Sequence, residues 1–471
     1  LSHRIVDAEV LVADSEISLP LPPLPAATAT EPPTGGGPNN TTPAQGLAVE
    51  SVSRISLSNI AVTSRGRRIT VSGESSLAAS GVSPPRPTIA DADKPNIAKV
   101  SMTAIEHGDI PGIAVVIVNR DEIIYQCFLG KQDVARNITM SSNAIFRIAS
   151  MTKPITSVAI MMLVDAGKII LDDPVSNYLP EFKGRPVIDT FNEADATYTT
   201  RPAKREITIR HLMTHSSGLG YAFTNPTVKR IVEATQKSEP DLPLLHDPGE
   251  RWTYSAGTRV LGSIVEKVSG QTLDVYLRTH IFEPLKMVDT GHVVPSEKVS
   301  RVVTVHTRKG GKLTETPNDP KQESPIRGDG GLYSTAQDYS RFVRMLLNGG
   351  TLDGAKILSP RAAQAMSMMP TGGPVMQTQP DANPDRTRPF PIGAGKDKFG
   401  LGFQVSAPDP QYAKFRSPGS LAWGGINNTH FWIDPKRQIA GIVMMQVLPF
   451  YDDASVALLR GIEEQVYKHL K

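Results

Sequence analysis

Ser150-Met151-Thr152-Lys153 sets a hydroxyl and an amine three residues apart, at the head of an apolar run (154–166) that closes at Gly167. On a helix such residues share one face, one turn from each other. A serine hydroxyl is a weak nucleophile at neutral pH and needs a base within hydrogen-bond reach. An amine in a dry pocket can be that base, because burial disfavours its charged form. The pair therefore reads as an acyl-transfer nucleophile with its proton partner. Alone, the string reads more readily as a helix start with a solvated lysine.

Pro154 narrows the choice. Its ring would clash with the Ser150 carbonyl inside a regular helix, so the helix must begin at or near Ser150. The serine then sits at the positive end of the macrodipole, beside free backbone N–H groups of the kind that stabilise a developing oxyanion. The residues behind it (Ile155, Val158, Ala159, Ile160, Met161, Met162, Leu163, Val164) are apolar almost all round, the mark of a central, buried helix.

Two more strings could bring partners to that hydroxyl. Pro248-Gly249-Glu250-Arg251-Trp252-Thr253-Tyr254-Ser255-Ala256-Gly257 reads as a turn and a helix start with Tyr254 presented at the junction, on its own an aromatic packed at a domain edge. Trp423-Gly424-Gly425-Ile426 lies just ahead of a late strand pair, where glycines mark a tight bend or permit close backbone approach. No Gly-x-Ser-x-Gly string occurs, which excludes a nucleophile elbow of the α/β-hydrolase kind. His211, His215 and His430 are the tempting alternatives as triad members and are expected to be structural.

The elements that must position these residues follow from periodicity and punctuation. A helix is expected over 94–107, ended by Gly108, then a hairpin of 113–118 with 122–128 around Asn119-Arg120-Asp121. After the Ser150 helix the pattern over 172–316 is mostly helical, clearest at 209–214, 257–268 and 273–281. Gly328-Asp329-Gly330-Gly331 leads into a helix over 336–347 with Ser334 and Thr335 as natural caps. Residues 372–398, rich in Gly and Pro, read as a long loop over a surface or cleft mouth. Strands are expected at 401–405, 430–433 and 439–446, and a last helix at 453–469. Strands early and late with helices between suit a sheet assembled from both ends of the chain, an inserted helical domain and a cleft between them.

Composition bounds the rest. A chain of 471 residues exceeds one ordinary core. Fifty Lys and Arg against 47 Asp and Glu give a formal charge of +3, and no basic stripe suggests nucleic acid. No apolar window approaches the ~18 residues of a membrane span. The single Cys127 excludes an internal disulfide framework and is expected as a small core residue. With no HExxH or CxxC string, no metal and no cofactor are expected. No basic start with an apolar stretch behind it opens the chain, which favours a cytoplasmic location, though it begins at Leu1 and a lost address is compatible with that. Residues 1–90 stand apart: eight prolines and a Gly-Gly-Gly-Pro string fall between Leu19 and Gln45, a linker composition expected to be disordered. Arg65, Arg67 and Arg68 read as a solvated patch.

Taken with Ile207-Thr208-Ile209-Arg210-His211-Leu212-Met213-Thr214-His215-Ser216-Ser217-Gly218-Leu219 and Gly330-Gly331-Leu332-Tyr333-Ser334-Thr335, these strings over 91–471 resemble the serine β-lactamase-fold hydrolases, nearest to class C β-lactamases and family VIII carboxylesterases. The resemblance implies an α/β (α+β) fold of the β-lactamase/penicillin-binding-protein kind. An antiparallel sheet flanked by helices would come from 91–171 and 317–471, and an all-helical domain from 172–316. It implies Ser150 as nucleophile, Lys153 as its proton partner and Tyr254 as general base, its phenol acidified by the ammonium. The backbone N–H groups of Ser150 and Ile426 would form the oxyanion hole. Which of Lys153 and Tyr254 takes the serine proton stays open, since such coupled groups titrate as a unit.

The departures carry the specificity. Where β-lactamases of this fold have Tyr-x-Asn, this chain has Ala256; where they have Lys-Thr-Gly, it has Trp423-Gly424-Gly425, a flat, neutral wall for substrate. Lys309-Gly310-Gly311 and Lys398-Phe399-Gly400 fall in the wrong places. Each missing charge-assisted contact is worth on the order of 1.5–3 kcal/mol, so an anionic antibiotic loses several powers of ten in binding. A neutral ester has no such requirement. The expected activity is hydrolysis of short-chain neutral esters, a small-molecule substrate with no cofactor. A β-lactamase, a D-amino-acid peptidase and an acyltransferase on the same scaffold are the alternatives.

Overall fold

The computed structural model describes residues 86–316, 326–410 and 414–471, together with five short strands of the N-terminal stretch. The chain divides into two units, Leu1–Pro85 and Arg86–Lys471. Within the first, Ile60–Ser64 pairs antiparallel with Arg67–Val71 and with Glu16–Ser18, and Ile55–Leu57 pairs with Ser75–Leu77. The expectation of a disordered linker over the rest of that stretch, and of a solvated patch at Arg65, lies outside the described residues.

The second unit is built on one sheet. In chain order its strands are β1 (Gly112–Asn119), β2 (Ile123–Asp133), β3 (Ile138–Thr139), β4 (Lys398–Phe399), β5 (Gln404–Val405), β6 (Leu421–Gly425), β7 (Thr429–Asp434) and β8 (Ile439–Met444). They lie in the order β4-β5-β6-β7-β8-β1-β2-β3, every neighbour antiparallel. The sheet closes across the ends of the chain: Met444 faces Ala114 and Ile439 faces Asn119.

β1, β7 and β8 are buried at every position, because both faces of the sheet are covered. Side chains alternate between faces. Ala114, Val116 and Val118 join one apolar cluster, and Ile113, Val115 and Ile117 the other. The first cluster is closed by α2 (Thr152–Asp165), α3 (Gly257–Ser269) and α4 (Ala336–Leu347). The second is closed by α1 (Lys94–Glu106) and α5 (Asp453–His469), which supply Ile97, Leu458, Leu459, Ile462 and Val466.

Most of the expected helices appear within a residue or two. Thr335 caps α4 by accepting the Asp338 N–H at 3.0 Å, while Ser334 belongs to a short strand paired with Phe146. Several expectations differ. The strand expected over 401–405 reduces to Gln404–Val405, because Gly400, Gly402 and their turn break it. The Trp423 segment, placed just ahead of the late strand pair as a close backbone approach or a tight bend, is itself the strand β6, with Trp423 opposite Phe431 and Gly424 opposite His430. The helix expected over 273–281 runs regularly only through Leu273–Leu277, then widens into a π turn, Arg278–Phe282. Residues 172–316 also hold two hairpins that periodicity did not reveal, Val187–Phe191 with Tyr198–Arg201 and His306–Lys309 with Lys312–Glu315. Cys127 is half-buried at the margin of the second cluster rather than fully interior.

Candidate active site

Ser150 sits in a 3₁₀ turn, Ala149–Met151, that opens into α2. The turn is tight: Ala149 lies at φ 44°, a left-handed conformation that costs an L-residue about 1–2 kcal/mol. Neighbouring segments hold it there. Ile148 N–H donates to Leu332 O at 3.0 Å, and Tyr339 OH donates to Met151 O at 3.1 Å. Pro154 stands in the first turn of α2, where its missing N–H costs nothing.

Lys153, one turn on, is 2 % exposed, and its Nζ donates to Ser150 Oγ at 2.9 Å and to the main-chain oxygen of Asp329 at 2.8 Å. Tyr254 arrives from the segment ahead of α3 and donates its OH to the same Oγ at 2.8 Å. The pair singled out by type and spacing and the tyrosine implied by the resemblance thus meet at one oxygen. Burial pushes the Lys153 ammonium down to about 7, with the Asp329 carboxylate opposing. An amine about half neutral at that pH can take a proton from a hydroxyl in hydrogen-bond contact. Burial pushes the Tyr254 phenol up, with the hydrogen bond to Ser150 opposing, the reverse of the acidification that the resemblance implies. The phenol therefore stays a donor near neutral pH.

β6 brings the Trp423 string against the Ser150 turn. A Cβ on Gly425 would lie 2.2 Å from Ile148 O, so only glycine allows the two backbones this close. Ile426 follows directly. Among the described residues neither the Ser150 nor the Ile426 backbone N–H is spent on a turn or loop hydrogen bond. Gly424 is required by its partner across the ladder, since its Cβ would stand 2.7 Å from His430 Nδ1. Trp423, 5 % exposed, packs edge-on against Phe399 at 4.9 Å between centroids and lies 5.2 Å from Tyr254.

The three histidines take other partners. His211 Nδ1 accepts the Thr208 N–H at 3.1 Å in a capping box, and burial holds its imidazole down to about 4. His215 pairs with Ser255 Oγ at 3.2 Å and packs against Tyr254. His430, pushed by burial down to about 3, stacks on Phe450. A small cavity of about 50 Å³ lined by Asp397, Gln404, Arg416, His430 and Glu463 reaches Trp423 but not Ser150, Lys153 or Tyr254. Among the described residues no group of three His, Cys, Asp or Glu side chains could hold a metal ion.

Sequence reasoning missed a second layer. Asp329, noticed only as part of a helix lead-in, is buried beneath Lys153. Its Oδ2 accepts from Tyr221 OH at 2.5 Å and from Arg259 Nη2 at 3.0 Å. Gln379 and Phe390, from the long loop over 372–398, also reach Tyr254. The Gln379 side chain accepts the Tyr254 N–H at 3.0 Å, and the Phe390 ring lies 5.4 Å from the phenol ring. None of these had a local signal; only the Gly-Asp-Gly-Gly string hinted that backbone passes close there.

The family model described as Beta-lactamase matches residues 97–463. Protein Rv1367c of Mycobacterium tuberculosis (strain ATCC 25618 / H37Rv) is 32% identical over 371 residues, 75% of this chain and 90% of the relative. Acyltransferase calJ of Penicillium decumbens is 28% identical over 356 residues, 70% and 82% of the two chains. Lovastatin esterase of Penicillium rubens is 28% identical over 392 residues, 78% and 96%. Among solved structures, simvastatin synthase from Aspergillus terreus (LovD6 mutant) superposes with a TM-score of 0.70 at 26% identity, covering 80% of this chain and 95% of that one.

Proposed function

This chain belongs to the Beta-lactamase family, with the antiparallel sheet and helices of the β-lactamase/penicillin-binding-protein fold and relatives that are acyltransferases and esterases; on that premise we propose that it is a serine carboxylesterase of the family VIII kind, hydrolysing short-chain neutral esters through an acyl-enzyme on Ser150. The observation that carries the reading is the convergence of Lys153 Nζ and Tyr254 OH on Ser150 Oγ.

Neutral Lys153 takes the hydroxyl proton as Oγ attacks the ester carbonyl carbon. The tetrahedral oxyanion is bound by the N–H groups of Ser150 and Ile426, donors fixed before the reaction begins. Tyr254 gives its proton to the departing alkoxide and recovers one from the Lys153 ammonium. The alcohol leaves, the acyl group stays on Ser150, and water repeats the sequence in reverse. Trp423, Gly424 and Gly425 form the wall along which the ester lies.

The choice of a neutral ester is supported by where the cations go. Lys309 is paired with Asp385 at 3.1 Å and Lys398 is bound to Pro370 O at 2.9 Å, so each is held by a partner other than Ser150. Ala256, in the place of the amide-reading asparagine, is buried and apolar. A β-lactam or D-amino-acid peptide would find neither of its usual contacts. Acyl transfer to an alcohol is the second reading, favoured by the relative named as an acyltransferase.

The test is a panel of p-nitrophenyl esters, nitrocefin and a competing alcohol, run on wild type and Ser150→Ala, with intact mass after a fluorophosphonate probe. Ester turnover should vanish in the variant, and the adduct should map to Ser150. Turnover retained above a small fraction would reject the nucleophile, and nitrocefin opened as fast as p-nitrophenyl butyrate would reject the esterase.

A further inference from the structure

The buried charges behind Lys153 are more than a main-chain hydrogen bond needs. The Asp329 side chain is 4 % exposed and bound by Arg259 through Nε at 3.2 Å and Nη2 at 3.0 Å. Tyr221 OH donates to it at 2.5 Å, and the Tyr221 ring lies 5.2 Å from Lys153 Nζ. Arg259 Nη2 also reaches Glu239 Oε2 at 3.0 Å, and Arg327 Nε stands 3.9 Å from Asp329. Taking such groups out of water is costly, and an isolated carbonyl would have held the amine without them.

We propose that Asp329, clamped by Arg259 and Tyr221, is a positioning residue that fixes its own carbonyl on Lys153 and sets the charge this amine carries. The inference rests on the Ser150–Lys153–Tyr254 reading above. Three elements meet at the clamp: Lys153 on α2, Arg259 on α3 five residues past Tyr254, and the 328–331 segment between them. That segment has no slack. Thr156 Oγ1 donates to Gly328 O at 2.7 Å, and a Cβ on Gly328 would fall 2.6 Å from Thr258 O. With Asp329 and Glu239 negative and Arg259 and Arg327 positive, the cluster is balanced when Lys153 is neutral. The other groups facing the amine are Ser150, Tyr254, Tyr221 and His215, the last kept neutral by burial. Asp329 favours the ammonium and Arg259 opposes it, so the two side chains pull the amine in opposite directions.

That opposition is the test. In the full-length protein, the acid limb of kcat/KM for p-nitrophenyl butyrate, and of fluorophosphonate labelling at Ser150, reports the loss of neutral Lys153. Asp329→Asn should move the limb to lower pH and Arg259→Gln to higher pH, each by about one unit, and Arg259→Lys should restore it. A purely structural role predicts lower activity with an unmoved limb. Limbs that stay put, or move the same way in both variants, overturn the proposal. If either variant fails to fold, Glu239→Gln leaves the clamp intact and should move the limb down by a smaller step; no movement overturns it equally. Labelling of wild-type Ser150 separates the two readings. No adduct would sink the esterase, whereas a normal adduct with fixed limbs sinks only the clamp.

Discussion

Replacing Gly425 by alanine is expected to lower kcat/KM about a hundredfold while leaving most of the fold standing. The new Cβ would lie 2.2 Å from Ile148 O, 3.0 Å from Ile148 C and 2.4 Å from Thr429 Oγ1. Two of these are main-chain atoms two residues ahead of Ser150, not the loose end of a side chain. Ordinary contact demands that β6 or the Ser150 turn retreat by about 1 Å, a displacement that can cost two orders of magnitude when it separates reacting groups. It also carries the Ile426 N–H away from the oxyanion it should bind, and losing one such donor costs ~10²–10³ in rate. The overpacking should lower stability by only ~1–3 kcal/mol. Steady-state kinetics on p-nitrophenyl butyrate with a thermal melt of the same sample measures both. Gly419→Ala is the control: its φ of 85° is strained but nothing lies within 4 Å of the added carbon, so it should lose stability and keep activity. A folded Gly425→Ala enzyme within threefold of wild type would refute the packing argument and the oxyanion site built on it.

Wild-type kcat/KM should rise with pH through about 7, because Lys153 must shed its proton to act, and Lys153→Met should abolish that limb with most of the activity. A flat profile from pH 5 to 8 would exclude Lys153 as the base. Tyr254→Phe keeps the ring against His215 and Trp423 but removes the donor to Ser150, so kcat should fall ~10²–10⁴-fold with a nearly unchanged melt. Glu463 accepts Arg416 Nε at 2.8 Å and Nη2 at 2.9 Å on the sheet face turned away from Ser150. Glu463→Gln should cost about 3 kcal/mol in a denaturant titration, the low end for a buried pair because Arg416 is partly exposed, with kcat/KM unchanged.

What was legible in the sequence was local. The helix behind Ser150, the hairpin of β1 and β2 and the last helix each carry their own periodicity, and Pro154 alone places the nucleophile at a helix tip. β6 was not legible, because Gly424 and Gly425 erase its strand signal; it is a strand only because Phe431 and His430 pair with it. The clamp at Lys153 was out of reach for the same reason. Tyr221 and Asp329 are 108 residues apart, and Asp329 and Arg259 are 70 apart. Gln379 and Phe390 sit in a stretch whose composition says only that it is not a helix, yet it is bridged to itself and laid against Tyr254.

The pairing of β8 with β1 has a consequence for synthesis. Ala114 emerges from the ribosome long before Met444, its partner across the ladder, and waits while the helices and strands between them are translated. Until then β1 offers an open edge with two apolar faces, a template for association between nascent chains. A message truncated after α2 but before residue 439 would encode the nucleophile on its helix with that edge still bare, and such fragments should go to inclusion bodies or proteases rather than show weak activity.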